Sequence, residues 1–336
     1  MIPRSVAVAL TPVIVASGVG IVGSLFQQRV VVARLEQGRS VIILDASTGA
    51  EHEIYRYDPA VGWLHDLSVA PTGEFLAVIE TDRGHVLGGE YDRLPRNRLV
   101  ILSPDGAVVH VIDRDIRRFT WCCGDRGLAY VVGPYREGGL QFVPEGVYLF
   151  DVGTRSEEAL PLPRSSYDVR WAAFDTSIYA LTLSSRDSGK VWRYSVPTRQ
   201  ASPTPFEGIA FSPSGRYYLY YSASEGRRLG WHIVERASGR ELPVPDGSLG
   251  AIVGWAFGTG DRLLLAHGRP VGPCPGQKGQ PRACTIEVVE HPIYDVRSAR
   301  VVKRIEGRTI PESAASNNAL PIRRAGKFEL VTDQGP

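Results

Sequence analysis

The sequence predicts an all-β fold built from a repeated four-stranded unit behind one membrane-spanning helix. Three observations predict it. An uncharged stretch of 24 residues, Ser5 to Gln28, lies near the start. Five copies of one strand–turn–strand pattern follow, about 40 to 50 residues apart. The composition is rich in turn formers, with Gly 36 and Pro 24, which suits many short strands.

The N-terminal stretch comes first in the chain. Val6, Ile14, Val22, Leu25 and Phe26 belong to its apolar body, bounded by Arg4 and Arg29. A helix of about 20 residues spans a bilayer core, and such helices tolerate the Pro12, Gly18, Gly20 and Gly23 found here. Residues 1–29 are therefore expected to be a transmembrane anchor. The rival is a cleaved signal peptide, with small residues at Val15-Ala16-Ser17 or Gly18-Val19-Gly20. Arg29, Arg34 and Arg39 after the span argue for a cytoplasmic C-terminal side, although that rule is weak for large translocated domains. The cysteines below argue for the opposite side.

The repeats occupy the rest, residues 30–336. One copy runs His65-Asp-Leu-Ser-Val-Ala-Pro-Thr-Gly-Glu-Phe-Leu-Ala-Val78. The others start at Arg118, Val169, Glu207 and Val253. Each is an apolar strand, a tight turn and a second apolar strand, and further hairpins follow, such as the one turning at Ser103-Pro104-Asp105-Gly106. Pro presets φ in that turn and Gly supplies positive φ. Four short strands per copy at this period predict propeller blades. Five blades are complete, at 64–113, 116–162, 168–204, 207–246 and 251–306. The N-terminal strands in 30–55 and a strand at 327–332 remain. A closed ring leaves no free sheet edges, so the expected architecture is a six-bladed β-propeller whose sixth blade takes its innermost strand from 327–332.

The runs Ala210-Phe-Ser-Pro-Ser-Gly215 and Ser103-Pro-Asp-Gly106 resemble the blades of TolB-type, WD40-like propellers. The resemblance covers the chain after residue 30, but no copy has the Gly-His and Trp-Asp pair of true WD40 repeats. It implies fold only: such propellers scaffold envelope complexes, bind peptides, or form the non-catalytic half of peptidases.

Within a blade, the short turns join strands one to two and three to four. The connections from strand two to strand three lie on the opposite face. Three of these are long: Asp82–Asn97, Gly133–Gly146 and Gly268–Ala283. They carry Tyr91, Arg93, Tyr135, Arg136, Phe142, Arg269 and Arg282. Aromatics and Arg are enriched at interface cores, so these residues are the expected partner surface. The alternative is a set of solvated insertions.

Cys274 and Cys284 bracket a loop rich in Pro and Gly, and are expected to form a disulfide worth up to about 3 kcal/mol. Such bonds belong to oxidising compartments. Cys122 and Cys123 are read as buried small hydrophobes, with a vicinal disulfide as the alternative. Trp121, Trp171 and Trp255 recur at one repeat position, which reads as packing between blades. The seven His are scattered. No nucleophile elbow, phosphate loop, dinucleotide fingerprint or calcium loop is present. The sequence thus offers no catalytic residue, metal site or cofactor. A net charge of +2 argues against nucleic acid.

These observations predict a non-catalytic scaffold subunit of a bacterial envelope complex, whether of transport, cell-wall or respiratory and photosynthetic type. It would be single-pass in the inner membrane with its propeller on the extracytoplasmic side. Its partners would be other subunits of the complex and the lipid bilayer. The alternative is an enzyme or small-ligand and peptide binder using the central channel. That reading predicts polar side chains from several inner strands at one mouth.

Overall fold

The second strand of each repeat is its most apolar, and the geometry gives the reason. In Leu76-Ala77-Val78-Ile79 all four side chains are fully buried. Leu76 and Val78 pack on one neighbouring sheet, while Ala77 and Ile79 pack on the other. Successive side chains of a strand point to opposite faces. A strand covered on both faces therefore reads as a continuous apolar run rather than an alternating one. The fourth strand shows the contrary case: Ser156–Ala159, at the rim, is exposed throughout.

The computed structural model describes residues 30–45, 48–83, 85–87, 90–93, 95–124, 126–134, 143–182, 190–222, 230–247, 251–256, 261–270, 286–309, 313–315, 320–324 and 327–331. They form a six-bladed β-propeller. Each blade is a four-stranded antiparallel sheet, with strands a to d running outward from the axis. Blade 1 comprises Ser313–Ala315, Val32–Glu36, Ser40–Leu44 and Glu51–Arg56. Blade 2 comprises Gly62–Val69, Leu76–Asp82, Arg96–Leu102 and Val108–Ile112. Blade 3 comprises Ile116–Cys122, Gly127–Val132, Gly146–Asp151 and Ser156–Ala159. Blade 4 comprises Ser166–Ala172, Ser177–Thr182, Val191–Ser195 and Gln200–Pro203. Blade 5 comprises Ala210–Phe211, Tyr217–Ser222, Gly230–Glu235 and Glu241–Leu242. Blade 6 comprises Ala251–Trp255, Arg262–Pro270, Ile286–Asp295 and Arg300–Glu306.

The closing strand differs from the sequence expectation. Ser313–Ala315, not 327–332, pairs with the first strand of the chain, in the register Val32↔Ala315, Ala33↔Ala314 and Arg34↔Ser313. The physical reason is a short connection. Strand d of blade 6 ends at Glu306 on the face where every strand a begins, so the chain enters blade 1 without recrossing the ring. Lys327–Val331 instead pairs with Leu320–Arg324, which pairs with Arg308–Thr309. This small sheet fills the seam. Ile322 and Val331 pack on blade 6, and Leu330 packs on blade 1.

The apolar core is divided among the blade interfaces. Among the described residues rings gather most densely between blades 4 and 5, where Phe206 and Phe211 each contact both Tyr179 and Tyr218. Gly106 (φ +90) lets its turn approach strand d of blade 1, where a Cβ would collide with the Ile54 carbonyl. Among the described residues no helix is long and apolar enough to cross a membrane. Residues 1–29, where the sequence predicts a membrane anchor containing Val6, Ile14, Val22, Leu25 and Phe26, lie outside them.

Candidate functional site

The alternation of strand direction assigns two faces. The a–b and c–d turns share one face, and the b–c and d–a connections share the other. Tyr91 and Arg93 lie on the second face in a two-stranded ribbon, opposite Val86 and His85. Arg269 lies within a strand rather than a loop. Strand b of blade 6 runs to Pro270, and Arg269 is in register with Glu287. The sequence placed the strand end too early because Gly268 reads as a breaker, whereas here a register shift between His267 and Gly268 absorbs it. Tyr135, Arg136, Phe142, Arg282, Cys274 and Cys284 lie outside the described residues.

Three aromatics that the sequence reading missed stand exposed on this long-loop face. Tyr221 ends strand b of blade 5 and is 59% exposed, and its register partner Trp231 is 40% exposed. Their rings meet edge to face at 5.6 Å. Trp63, at the start of blade 2, is also 40% exposed. The signal was present in Tyr217-Tyr-Leu-Tyr-Tyr221. Tyr217 and Leu219 face blade 6, and Tyr221, next in that alternation, lies beyond the end of the core.

The channel has two unlike ends. At the short-turn mouth, a 760 Å³ cavity is lined by Trp171, Phe174, Phe211, Trp255, Leu264 and other small or apolar residues, with Arg170 the charged member. No carboxylate or imidazole is among its described lining residues. Nearer the long-loop face the inner strands of blades 2 and 3 carry charged side chains. Arg118 Nη1 meets Asp66 Oδ2 at 2.6 Å, joining blades 3 and 2. His65 Nδ1 lies 3.3 Å from the same carboxylate, and His65 Nε2 lies 2.8 Å from Thr81 Oγ1. Burial pushes the Asp66 carboxyl up, but His65 and Arg118 outweigh it and hold the group below its usual range.

Asp, His and a hydroxyl in this order are the parts of a nucleophile triad. Thr81 does not serve that chemistry. Its side chain is 4% exposed and its hydroxyl donates to Asn97 Oδ1 at 2.7 Å. Asn97 Nδ2 in turn donates to the Ile116 carbonyl at 3.1 Å. The line is a tie between blades 2 and 3. A second tie joins blades 1 and 2: the fully buried Glu80 accepts from the Tyr55 hydroxyl and from Arg98 Nε. Burial, reinforced by Glu80, pushes the Tyr55 phenol above its usual range. Among the described residues no group of three or more His, Cys, Asp or Glu is placed to hold a metal ion.

The recurring tryptophans pack between blades. Trp121 Nε1 donates to the Ser68 carbonyl of the preceding blade at 3.4 Å, and its ring stacks on Phe75. Trp255 repeats both contacts with Ala210, at 2.7 Å, and Tyr217. Trp171 packs against the apolar cluster between blades 3 and 4 that includes Cys122.

No protein-family model matches the chain, and no curated protein matches it. Solved structures do. An oligogalacturonate lyase in complex with manganese overlaps with a TM-score of 0.52 at 12% identity, over 70% of each chain. A chain of the mitotic checkpoint complex overlaps at 0.52 with 13% identity, over 90% of this chain and 88% of that one. TolB from Acinetobacter baumannii overlaps at 0.46 with 11% identity, over 85% of this chain and 66% of that one. The first two likenesses establish the propeller fold alone, so function is argued from the site.

Proposed function

We propose that the chain is a membrane-tethered, non-catalytic scaffold whose long-loop face holds another subunit of a bacterial envelope complex. The carrying observation is the exposed pair Tyr221 and Trp231, with Trp63, on the face that also bears the long connections. Trp and Tyr supply much of the binding energy at protein interfaces, and two rings held edge to face are already ordered for docking. Tyr91, Arg93, Tyr135, Arg136, Phe142, Arg269 and Arg282 complete the proposed surface.

The tether is residues 1–29, inserted in the inner membrane with the propeller on the extracytoplasmic side. Cys274 and Cys284 form the disulfide that fits that compartment. The chain enters strand b of blade 1 from the short-turn face, so a tether there turns the long-loop face away from lipid. The alternative, a ligand or reaction in the channel, draws on the 760 Å³ cavity. Its described lining residues offer stacking surface and the Arg170 cation, but no acid–base pair among them.

The test is purification of the full chain in mild detergent, with quantitative mass spectrometry. A stoichiometric partner is expected with the wild type. Its recovery falls about tenfold or more in the Tyr221→Ala/Trp231→Ala variant. A monomer without a companion protein contradicts the proposal.

A further inference from the structure

The a–b turn of blade 3 holds a feature that the scaffold reading does not use. Cys122 and Cys123 are adjacent, both are free thiols, and their Sγ atoms lie 3.0 Å apart. Neighbouring side chains on an extended strand point to opposite faces, so this proximity needs a special backbone. Cys123 supplies it with φ 57, a left-handed conformation uncommon outside Gly. The residue across the turn makes room. Gly127 is the register partner of Cys122, and a Cβ there would lie 3.0 Å from Cys123 Cβ and 3.1 Å from Cys122 Sγ. The two thiols also differ. Cys122 is buried, whereas Cys123 is half-exposed.

We infer that Cys122 and Cys123 form a redox site, a vicinal dithiol that a low-molecular-weight disulfide oxidises to an intrachain disulfide. The geometry sets the order of events. Cys123, the accessible thiol, reacts first. Its proton is also the more easily lost, because the adjacent Cys122 thiol lowers it, while Cys122 is raised by Cys123 and by burial. The Cys123 thiolate attacks one sulfur of the external disulfide and expels a thiolate. Cys122 Sγ then attacks Cys123 Sγ and displaces the second external thiol, which takes the Cys122 proton. The chain loses two electrons and two protons, and the external disulfide becomes two thiols. The Sγ atoms move together by about 1 Å to reach the bond length of about 2.05 Å. A ring closed across one peptide bond is strained, and strained, accessible disulfides are the readily reduced ones. The site is therefore reversible. It also has a built-in reporter, since Trp171 of blade 4 belongs to the same apolar cluster as the two cysteines and lines the channel mouth.

The test uses the full chain with Cys274→Ser and Cys284→Ser, so that the pair supplies the only thiols. The folded protein is treated with glutathione disulfide, alkylated with iodoacetamide and digested. The peptide bearing Cys122 and Cys123 is expected to weigh two hydrogen atoms less, to resist alkylation, and to regain both thiols with dithiothreitol. Tryptophan fluorescence falls on oxidation and recovers on reduction. Cys122→Ser should stop at one stable glutathione on Cys123, and Cys123→Ser should leave the buried Cys122 unmodified. The inference is overturned if the treated chain keeps glutathione on Cys123 beside a free Cys122. It is equally overturned if both cysteines are alkylated after oxidant, or if Cys123 links two chains. The wild-type peptide, read in the same way, decides the matter if the serine variants fail to fold.

Discussion

The indole of Trp255 is held by one hydrogen bond, to the Ala210 carbonyl at 2.7 Å, and by its stack on Tyr217. Trp255→Phe removes the hydrogen bond and keeps a ring, so it should cost about 1 kcal/mol, read as a lower urea midpoint at unchanged slope. Trp121→Ala empties a buried site and should cost about 3 to 5 kcal/mol. The structural role of these residues was legible because all three recur at one repeat position. The cysteine contact was not legible, because it depends on Gly127 across the turn and on the left-handed Cys123. His291 gives a pH prediction. Its Nδ1 faces the Leu265 carbonyl at 3.2 Å, its Nε2 meets no partner among the described residues, and burial lowers the imidazole below its usual 6.5. The unfolded chain therefore takes up a proton at His291 near pH 6.5 while the folded chain resists it. Stability from this group is present above that pH and is lost as pH falls toward the folded value. His291→Asn keeps a donor for Leu265 and cannot titrate, so its urea midpoint should fall less than the wild type's between about pH 7 and pH 5.

Strands made themselves known in the sequence by how they are covered. Strand b of blades 2, 3 and 4 is buried on both faces and reads as an apolar run, which is why the repeat is visible in the sequence. The closing strand is the opposite case. Ser313-Ala-Ala315 is short, small and of low strand propensity, whereas Lys327-Phe-Glu-Leu-Val331 looks like a strand and pairs elsewhere. Apolar content marked the wrong segment, because the innermost position is fixed by where blade 6 releases the chain. Truncations separate the two. Ending the chain after residue 326 removes the buried Val331, worth about 1.5 to 3 kcal/mol, and the half-buried Leu330, and should leave one cooperative thermal transition. Ending it after residue 312 strips blade 1 of its inner strand and opens the ring, and should abolish the cooperative transition in calorimetry. The reverse order would restore 327–331 as the closing strand.

At the scale of the whole molecule, alternating strand direction separates a face of short turns from a face of long connections. The chain enters the ring on the first, and the exposed aromatics stand on the second. That division was legible from strand count and loop length alone. The particular aromatics were not, because Trp63, Tyr221 and Trp231 belong to strand ends rather than to the long loops. The proposed function requires that a protein partner sit on the long-loop face. Site-specific photo-crosslinking of the full chain in native membranes tests it most directly. A benzophenone amino acid replaces Trp63, Tyr221 or Trp231 on one face, and Thr72, Asp105 or Ser238 on the other. Crosslinks are expected from the first set to one shared protein, and none to it from the second. Crosslinks to a common protein from Thr72, Asp105 and Ser238, with Tyr221 and Trp231 silent, would contradict it.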